Sequence, residues 1–271
     1  GGKGVGVITV DEDYVNKFGT GGTEDGKFVW PTSIALDKEE NVYVSDEHLQ
    51  RISIFSKDGE FLGKWGEVGD GDGQLNRPSG MAFDSQDNLF IVDSANNRIQ
   101  KFAKDGKYLA KWGQFGSGPG EFNLPWGIDI DKEDNVYIAD WRNNRVQKFA
   151  PDGQYLMTIG TPGTWTPRMF NHQEIYAAPD GELNRPAGVA VDKDGDIWVT
   201  DNRHDRVEAF APDGSFLLTL TGDATLNKLA IQQLDANSEM WEERAIAESF
   251  WMEKLFYSPL AIEVDDDNRV F

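Results

Sequence analysis

The chain has 271 residues and carries 47 acidic against 26 basic side chains, which gives a formal net charge of -21. Such a surface repels phosphate backbones, so nucleic acid is a disfavoured partner. The absence of cysteine excludes disulfides and thiolate zinc sites, and no apolar run approaches the roughly 18 residues of a membrane span. The composition predicts a soluble globular protein and leaves its compartment open.

An internal repeat organises the sequence. Aspartates that follow a short apolar run recur at intervals of 47, 47, 61 and 73 residues. They are Asp37, Asp84, Asp131, Asp192 and Asp265. The repeat is therefore about four dozen residues long, a period typical of propeller blades.

The chain opens in the middle of a repeat. Residues 4–19 align without a gap on residues 98–113, which predicts the third and fourth strands of a blade. At the other end, residues 258–271 match the first two strands. We therefore expect four complete blades and two half-blades. The halves either close the ring as a fifth blade or belong to a six-bladed ring of which this chain is a fragment.

Each complete repeat predicts four antiparallel strands. The first follows a proline, as in residues 78–84, where apolar residues alternate with small ones. Residues 136–140 and 145–149 exemplify the second and third strands. A pair such as Asp152-Gly153 then marks a tight hairpin into the fourth strand, because glycine accepts the positive φ that the turn requires. The predicted fold class is all-β, a β-propeller of four-stranded blades around a central channel.

Two connections between repeats are longer than the others. Residues 161–182 form a loop insertion rich in aromatic side chains. Residues 221–257 carry apolar residues at helical spacing, which predicts a small helical insertion near the C-terminus. The helices either pack on the rim of the propeller or form a lid over the channel mouth. Both insertions belong to one predicted domain, residues 1–271.

A longer motif recurs within the repeats. A Pro-x-Gly segment precedes an apolar run that ends in Asp, and an Asp, an Arg five residues later and a Phe four residues after that follow. The last three residues read Asp46, Arg51 and Phe55; Asp93, Arg98 and Phe102; Asp140, Arg145 and Phe149; and Asp201, Arg206 and Phe210. Over nearly the whole chain these repeats resemble the NHL family. The resemblance implies a six-bladed propeller.

The resemblance implies several functions rather than one. NHL proteins include propellers that bind protein or RNA and a zinc-dependent lyase of peptidyl-hydroxyglycines, and related propellers are lactonases and other hydrolases. In the lyase branch, histidines beside the first-strand proline bind zinc. The matching positions here are Thr32, Ser79, Trp126, Ala187 and Leu260, so that zinc site is not expected.

The Asp and Arg of the motif recur once per blade. A catalytic group is rarely needed four times, whereas buried polar groups are regularly paired for structural reasons. We therefore expect these pairs to fix the turn between the second and third strands.

The first strand of each blade is expected to line the channel. At the fourth position after the proline the series reads Ala35, Ala82, Asp129, Ala190 and Glu263. Asp129 and Glu263 are candidates to hold Ca²⁺ or another divalent cation, and either could act as a general base. A hydrated channel wall is the favoured alternative, because calcium takes six or more oxygen ligands.

The connections between blades and the turns between second and third strands are expected to emerge on one face. That face carries arginines and aromatic residues, the types enriched in binding hot spots. The candidates are Arg77, Trp126, Trp141, Arg142, Trp165, Arg185, Arg203 and His204.

No common catalytic motif occurs in the sequence. The leading hypothesis is a binding or scaffold module that recognises a protein, peptide or small-molecule ligand on the face with the insertions. The alternative is a metal-assisted hydrolase or lyase with its site at the mouth of the channel. Whether the protein is an enzyme stays open.

Overall fold

The computed structural model describes residues 5–8, 14–163, 178–220, 258–265 and 269–271. Within them the chain forms four antiparallel sheets of four strands, numbered here as blades 1 to 4 in chain order. Blade 1 consists of Pro31–Leu36, Val42–Asp46, Arg51–Phe55 and Phe61–Trp65. Blade 2 consists of Pro78–Phe83, Asn88–Asp93, Arg98–Ala103 and Tyr108–Trp112. Blade 3 consists of Ile128–Ile130, Val136–Asp140, Arg145–Phe149 and Tyr155–Ile159. Blade 4 consists of Pro186–Val191, Ile197–Asp201, Arg206–Phe210 and Phe216–Leu220.

Short elements close the connection that leads from the fourth strand of one blade to the first strand of the next. Three connections begin and end in a parallel pair: Thr20–Gly21 with Lys27–Phe28, Glu67–Val68 with Gln74–Leu75, and Thr161–Pro162 with Glu182–Leu183. Phe115 and Phe122 bridge in the same way before blade 3. Two turns between second and third strands are 3₁₀ helices, Ser94–Asn96 and Trp141–Asn143.

Partial blades flank the four complete ones, as the repeat predicts. The strands Val5–Ile8 and Tyr14–Phe18 form an antiparallel hairpin before blade 1, and Val264 bridges Val270 after blade 4. The ring of Phe18 lies 4.7 Å from that of Phe55 in blade 1. At the other end, Ile262 packs in one buried cluster with residues of blade 4. The half-blades thus extend the radial stack in both directions.

The predicted helical insertion at 221–257 lies outside the described residues, as does the middle of the loop insertion at 161–182. No helix in the described part of the chain has the length and apolar character needed to cross a bilayer.

The aspartates that reveal the repeat form the turn between the first and second strands. Asp84 accepts the backbone N–H groups of Gln86 and Asn88 at 2.9 and 2.8 Å, so its short side chain replaces a backbone acceptor in the turn. The same bonds occur at Asp37, Asp131 and Asp192. The residue that marks the period is therefore a turn-forming residue.

The hydrophobic core lies between blades. Tyr43 and Ile52 of blade 1 form a buried cluster with Met81, Ile91 and Phe102 of blade 2. Equivalent clusters join blade 2 to blade 3 and blade 3 to blade 4. Because each sheet has a neighbour on both sides, both of its faces must be covered, which explains the buried second strands.

The glycine of the Pro-x-Gly motif allows the first strands to approach closely at the channel. A Cβ atom on Gly80 would lie 2.7 Å from the carbonyl oxygen of Trp126 in the next blade, below any normal contact. The backbone N–H of Gly80 donates to that same oxygen at 2.9 Å. The motif thus reflects a backbone contact between blades.

The Asp and Arg of the longer motif form a buried cluster that we call the Asp–Arg pair. In blade 2 the Asp93 carboxylate accepts hydrogen bonds from Arg98 Nε at 2.7 Å and from the N–H of Asn76 at 2.6 Å. The terminal nitrogens of Arg98 donate to three backbone carbonyls of the preceding connection. The pair therefore joins the turn to the connection between blades, which is more than the role predicted from sequence. It recurs as Asp140–Arg145 and Asp201–Arg206.

Blade 1 lacks this pair, so the expectation of one in every blade is wrong there. Arg51 still binds carbonyls of the preceding connection, including that of Thr23 at 2.9 Å, but its Nε has no partner among the described residues. Asp46 accepts backbone N–H groups instead, from Val29 at 2.7 Å and from Leu49 at 2.9 Å. The carboxylate is satisfied by the backbone and no longer needs the guanidinium.

A second repeated contact clamps neighbouring blades together. In blades 2, 3 and 4 and in the last half-blade, the residue before the first-strand proline donates its backbone N–H to a side-chain oxygen in the turn of the preceding blade. The pairs are Arg77 to Gln50, Leu124 to Asn97, Arg185 to Asn144, and Ser258 to Asp205. All eight residues have positive φ, a backbone conformation that non-glycine residues adopt only when their surroundings hold it.

Removing the carboxylate of a buried Asp–Arg pair should destabilise the fold strongly. Asp93→Ala leaves the buried guanidinium of Arg98 without its anion and should lower the free energy of unfolding by about 3 to 5 kcal/mol in urea denaturation. Asp72→Ala is the control, because Asp72 pairs with Lys111 in the exposed part of the same blade. That change should cost less than about 1 kcal/mol. Similar losses for both variants would contradict the assigned role.

Glu208 departs from the repeat in blade 4. Blades 2 and 3 place Gln100 and Gln147 at this position, and each amide nitrogen donates to a backbone carbonyl and to the aspartate of the Asp–Arg pair. Glu208 keeps the bond to the connection, from the N–H of Gly181 at 3.1 Å, but its buried Oε2 has no partner among the described residues. Burial raises the pKa of Glu208 to about 7, although Arg206 Nη2 lies 2.8 Å from Glu208 Oε1 and its charge opposes the shift.

Glu208→Gln should stabilise the protein in a pH-dependent way. The folded-state pKa exceeds the ordinary value of 4.5, so the wild type loses stability as pH rises from about 4.5 to about 7 and gains none back above that. The advantage of the variant should grow over this window and level off at about 2 to 3 kcal/mol. Urea denaturation at several pH values measures it.

The reciprocal change provides the matched control. Gln147→Glu places a carboxylate at the same position of blade 3 and should introduce a loss of stability over a similar pH range. An advantage of Glu208→Gln that stays constant with pH would rule out this origin.

Candidate ligand site on the connection-bearing face

The first long connection begins, and the second ends, on the side of the propeller that carries the turns between second and third strands. The carbonyl oxygen of Gly163, in the first long connection, lies 3.5 Å from Asn144 Nδ2 in the turn of blade 3. Ser258, which follows the second, donates its N–H to Asp205 in the turn of blade 4. We call this side the connection-bearing face.

Three arginines line a depression of about 560 Å³ on this face, between blades 3 and 4. Arg142 and Arg203 occupy the same position in the turns of the two blades, and Arg185 precedes the first-strand proline of blade 4. The complete lining, which we call the arginine pocket, is Asn123, Arg142, Asn144, Asn184, Arg185 and Arg203.

Arg185 is held from two directions. Its backbone N–H is clamped by Asn144 Oδ1 at 2.9 Å. Its guanidinium carbon lies 4.7 Å from the ring centre of Trp141, and that of Arg142 lies 5.6 Å from the same ring. Stacking of this kind fixes a guanidinium through its flat face and leaves its N–H groups available to a ligand.

The arginine pocket has no internal counter-charge. In the part of the chain that the structure describes, none of its three guanidinium groups forms an ion pair or a side-chain hydrogen bond. Burial and the neighbouring charges of Arg203 and Arg142 lower the pKa of Arg185. The cations therefore repel one another without compensation.

The junction between blades 1 and 2 shows a neutralised version of the same position. Arg77 is the counterpart of Arg185, and its Nη2 lies 2.9 Å from Glu47 Oε1. Trp141 replaces that glutamate at the junction between blades 3 and 4. The two junctions thus hold equivalent arginines, one neutralised by a glutamate and the other stacked on a tryptophan.

His204 belongs to the buried framework rather than to the pocket. Its Nδ1 lies 2.7 Å from Asp201 Oδ2, and its side chain is 4% exposed. Asn96 and Asn143 donate to the corresponding aspartates in blades 2 and 3. His204 therefore completes the polar cluster of blade 4.

The remaining candidates lie apart from the pocket. Arg77 is on the face but is paired with Glu47. Trp126 follows the proline at the start of blade 3 and lines the channel. Trp165 lies outside the described residues.

Sequence reasoning missed the three asparagines of the arginine pocket. Asn123 and Asn184 stand two residues before a first-strand proline, a position that Asn76 holds in blade 2. Asn184 is buried, and its side-chain amide forms no hydrogen bond with the described residues. The recurrence of asparagine two residues before the proline could have marked Asn123 and Asn184 as candidates. The sequence does not show which residues of the neighbouring repeat they meet in the pocket.

The central channel is a cavity of about 940 Å³, lined by the first strands of the four blades and by residues 260–263. Asp129 and Glu263 are both among its lining residues. Asp129 accepts the N–H groups of Ile130 at 2.8 Å and of Val191 in blade 4 at 2.7 Å. Burial nevertheless raises the pKa of Asp129 to about 7, and the charge of Glu263 adds to the effect. The pKa of Glu263 is also raised by desolvation.

The described residues contain no group of three or more His, Cys, Asp or Glu side chains arranged as metal ligands. Asp129 and Glu263 supply two carboxylates, and calcium takes six to eight oxygens. Most of its coordination shell would have to come from water and backbone carbonyls. The raised pKa of Asp129 also weakens its attraction for a cation near neutral pH.

Radial four-stranded sheets around a channel define a β-propeller. The family described as a 6-bladed beta-propeller (DUF5128) matches residues 77–177, and the NHL repeat matches residues 183–210. Together the two matches support an NHL-repeat β-propeller family for this chain.

Individual proteins match this chain either over a short sequence segment or, as structures, at low sequence identity. Protein wech of Drosophila melanogaster is 53% identical over 36 residues, which cover 13% of this chain and 4% of that protein. A streptogramin B lyase structure is 13% identical and covers 98% of this chain and 68% of its own, with a TM-score of 0.59. A protein of unknown function from Bacteroides thetaiotaomicron VPI-5482 is 18% identical and covers 96% and 58%, with a TM-score of 0.56. The chain spans a small part of the curated relative and less than two thirds of the Bacteroides propeller.

The two channel acids should be coupled electrostatically. Replacing Glu263 by Gln removes a negative charge that favours the protonated form of Asp129, so the pKa of Asp129 should fall from about 7. Titration of the Asp129 carboxyl carbon by NMR measures the change. Gln86→Ala, in an exposed turn, is the control and should leave the midpoint in place. An unchanged midpoint in Glu263→Gln would show that the carboxyls do not sense each other.

Proposed function

We propose that this protein is a binding module that recognises its ligand on the connection-bearing face, at the arginine pocket. The observation that supports this most directly is the uncompensated charge of three clustered arginines in a chain of net charge -21. The fold is compatible with this role, because NHL-repeat propellers include binding and scaffold modules.

The scaffold suits recognition on this face. The strands and the Asp–Arg pairs hold the turns rigidly, while the connections vary in length from one blade to the next. Binding residues are commonly found on loops that a rigid framework positions. The first long connection begins at Thr161–Pro162, and the carbonyl oxygen of Gly163 within it accepts a hydrogen bond from Asn144 of the arginine pocket.

The channel provides a second candidate function, because Asp129 has a pKa near neutrality and lines a large cavity. A group of that kind is suited to proton transfer, as a hydrolase or lyase requires. Two observations count against it. The channel lining contains no histidine among the described residues, and a histidine-to-alanine variant of the virginiamycin B lyase from Staphylococcus aureus is described as catalytically inactive. Both oxygens of Asp129 also accept backbone N–H groups.

Two space-filling variants separate the candidates. Asn123→Trp fills the arginine pocket without removing an arginine, and Ile34→Trp narrows the channel at a residue that is 50% exposed there. Thermal unfolding is followed for wild type and both variants with a library of small molecules. Ligands that raise the midpoint of wild type by about 2 °C or more should lose their effect in Asn123→Trp and keep it in Ile34→Trp.

The reverse pattern would favour the channel. If the shifts disappear in Ile34→Trp and persist in Asn123→Trp, the ligand binds in the channel and the proposal for the face is wrong. Each variant is compared with its own ligand-free midpoint, so an intrinsic change of stability does not affect the comparison.

A further inference from the structure

We infer that the ligand of the arginine pocket is a small molecule with two or more anionic oxygens, such as a phosphate ester or a polycarboxylate, held by Arg142, Arg185 and Arg203. This inference rests on the proposed function and adds the chemistry of the ligand. Guanidinium groups present paired N–H donors whose spacing matches carboxylate and phosphate oxygens. The three residues lie on the rim of one depression.

The charge of the pocket is specific to this junction. At the turn position that Arg142 and Arg203 hold in blades 3 and 4, blades 1 and 2 have His48 and Ala95. Two neighbouring blades have thus each gained an arginine facing the same space. Neither arginine binds a carboxylate in the described chain, in contrast to Arg98 and Arg145 of the buried pairs.

The third arginine shows the same contrast between a structural and an available cation. Arg77 is bound to Glu47, whereas its counterpart Arg185 stacks on Trp141. An aromatic ring holds the guanidinium in place without neutralising it or occupying its N–H groups. The substitution of Trp for Glu therefore changes a structural cation into one that a ligand can bind.

The size and polarity of the pocket set the kind of anion. A volume of about 560 Å³ lies in the range of small-molecule sites and exceeds the space that one inorganic ion fills. Asn123 and Asn184 add amide groups that can bond to hydroxyl or carbonyl groups of a larger ligand. The expected ligand therefore combines an anionic group with a polar remainder.

Calorimetric titration of the whole chain with inorganic phosphate and with citrate tests the inference at low ionic strength, where screening is weak. The two probes distinguish a phosphate from a carboxylate preference. At least one should bind with a dissociation constant in the millimolar range or tighter. Arg142→Gln, Arg185→Gln and Arg203→Gln should each weaken its binding about tenfold.

Two further variants control for general effects of charge and for misfolding. Arg77→Gln removes an arginine from the same face at the paired junction and should leave probe binding unchanged. Trp141→Glu recreates the Glu47 arrangement beside Arg185 and should abolish probe binding while the thermal midpoint stays close to that of wild type. Retained folding is expected because the chain already uses this pair between blades 1 and 2.

The outcomes separate this inference from the proposed function. Failure of both probes to bind, or equal binding by wild type and the three Arg→Gln variants, would overturn the anionic ligand. Suppose that the anionic probes fail but library ligands still lose their thermal shift in Asn123→Trp. The ligand then binds on the connection-bearing face, as proposed, but it is not an anion. If probes bind and only Arg77→Gln weakens them, the anion binds at the other junction and the assignment to this pocket is wrong.

Discussion

The buried Asp–Arg pair is the interaction on which the face of this propeller depends. In blades 2, 3 and 4 the aspartate carboxylate is bonded to three groups. They are the guanidinium of the arginine, a side chain of the turn, and the backbone N–H of the residue 17 positions earlier in the chain. The guanidinium in turn binds the connection that leads into the blade. Turns and connections are the parts of a propeller that would otherwise move most, and here they are fixed to the strands by charge-assisted hydrogen bonds. A ligand site built from them is therefore preorganised.

Because the framework repeats, departures from it identify places where the sequence has been adapted. Trp141 stands beside Arg185 where Glu47 neutralises the equivalent Arg77, and Glu208 places a carboxyl group where blades 2 and 3 have an amide. Both departures lie in the same half of the molecule, beside the junction of blades 3 and 4. The Arg77–Glu47 pair and the amides of Gln100 and Gln147 show what the same positions look like in a purely structural role.

Much of the architecture could be predicted from the sequence, because it depends on local patterns. Strand alternation, Asp-Gly turns and the spacing of Asp37 and its equivalents predict four blades, and the four-stranded sheets confirm them. The positions of Asp129 and Glu263 along the channel also followed from register. The clustering of the arginines did not, since Arg142, Arg185 and Arg203 come from two repeats and meet only when blades pack. Likewise, the loss of the pair at Arg51 and the burial of His204 depend on side-chain conformations that no spacing encodes.

The clamp between blades has a consequence for how such a surface can diversify. At these four junctions the hydrogen bond uses the main-chain N–H of the residue before the proline. The side chain of that residue takes no part in the bond, so its identity can vary. Arginine, leucine and serine all stand there in this one chain. The left-handed backbone conformation fixes the position of the Cα and Cβ atoms of these residues, whichever side chain they carry. A single substitution at one of these positions can therefore change what the surface binds. The backbone hydrogen bond that connects the neighbouring sheets is unaffected by such a change.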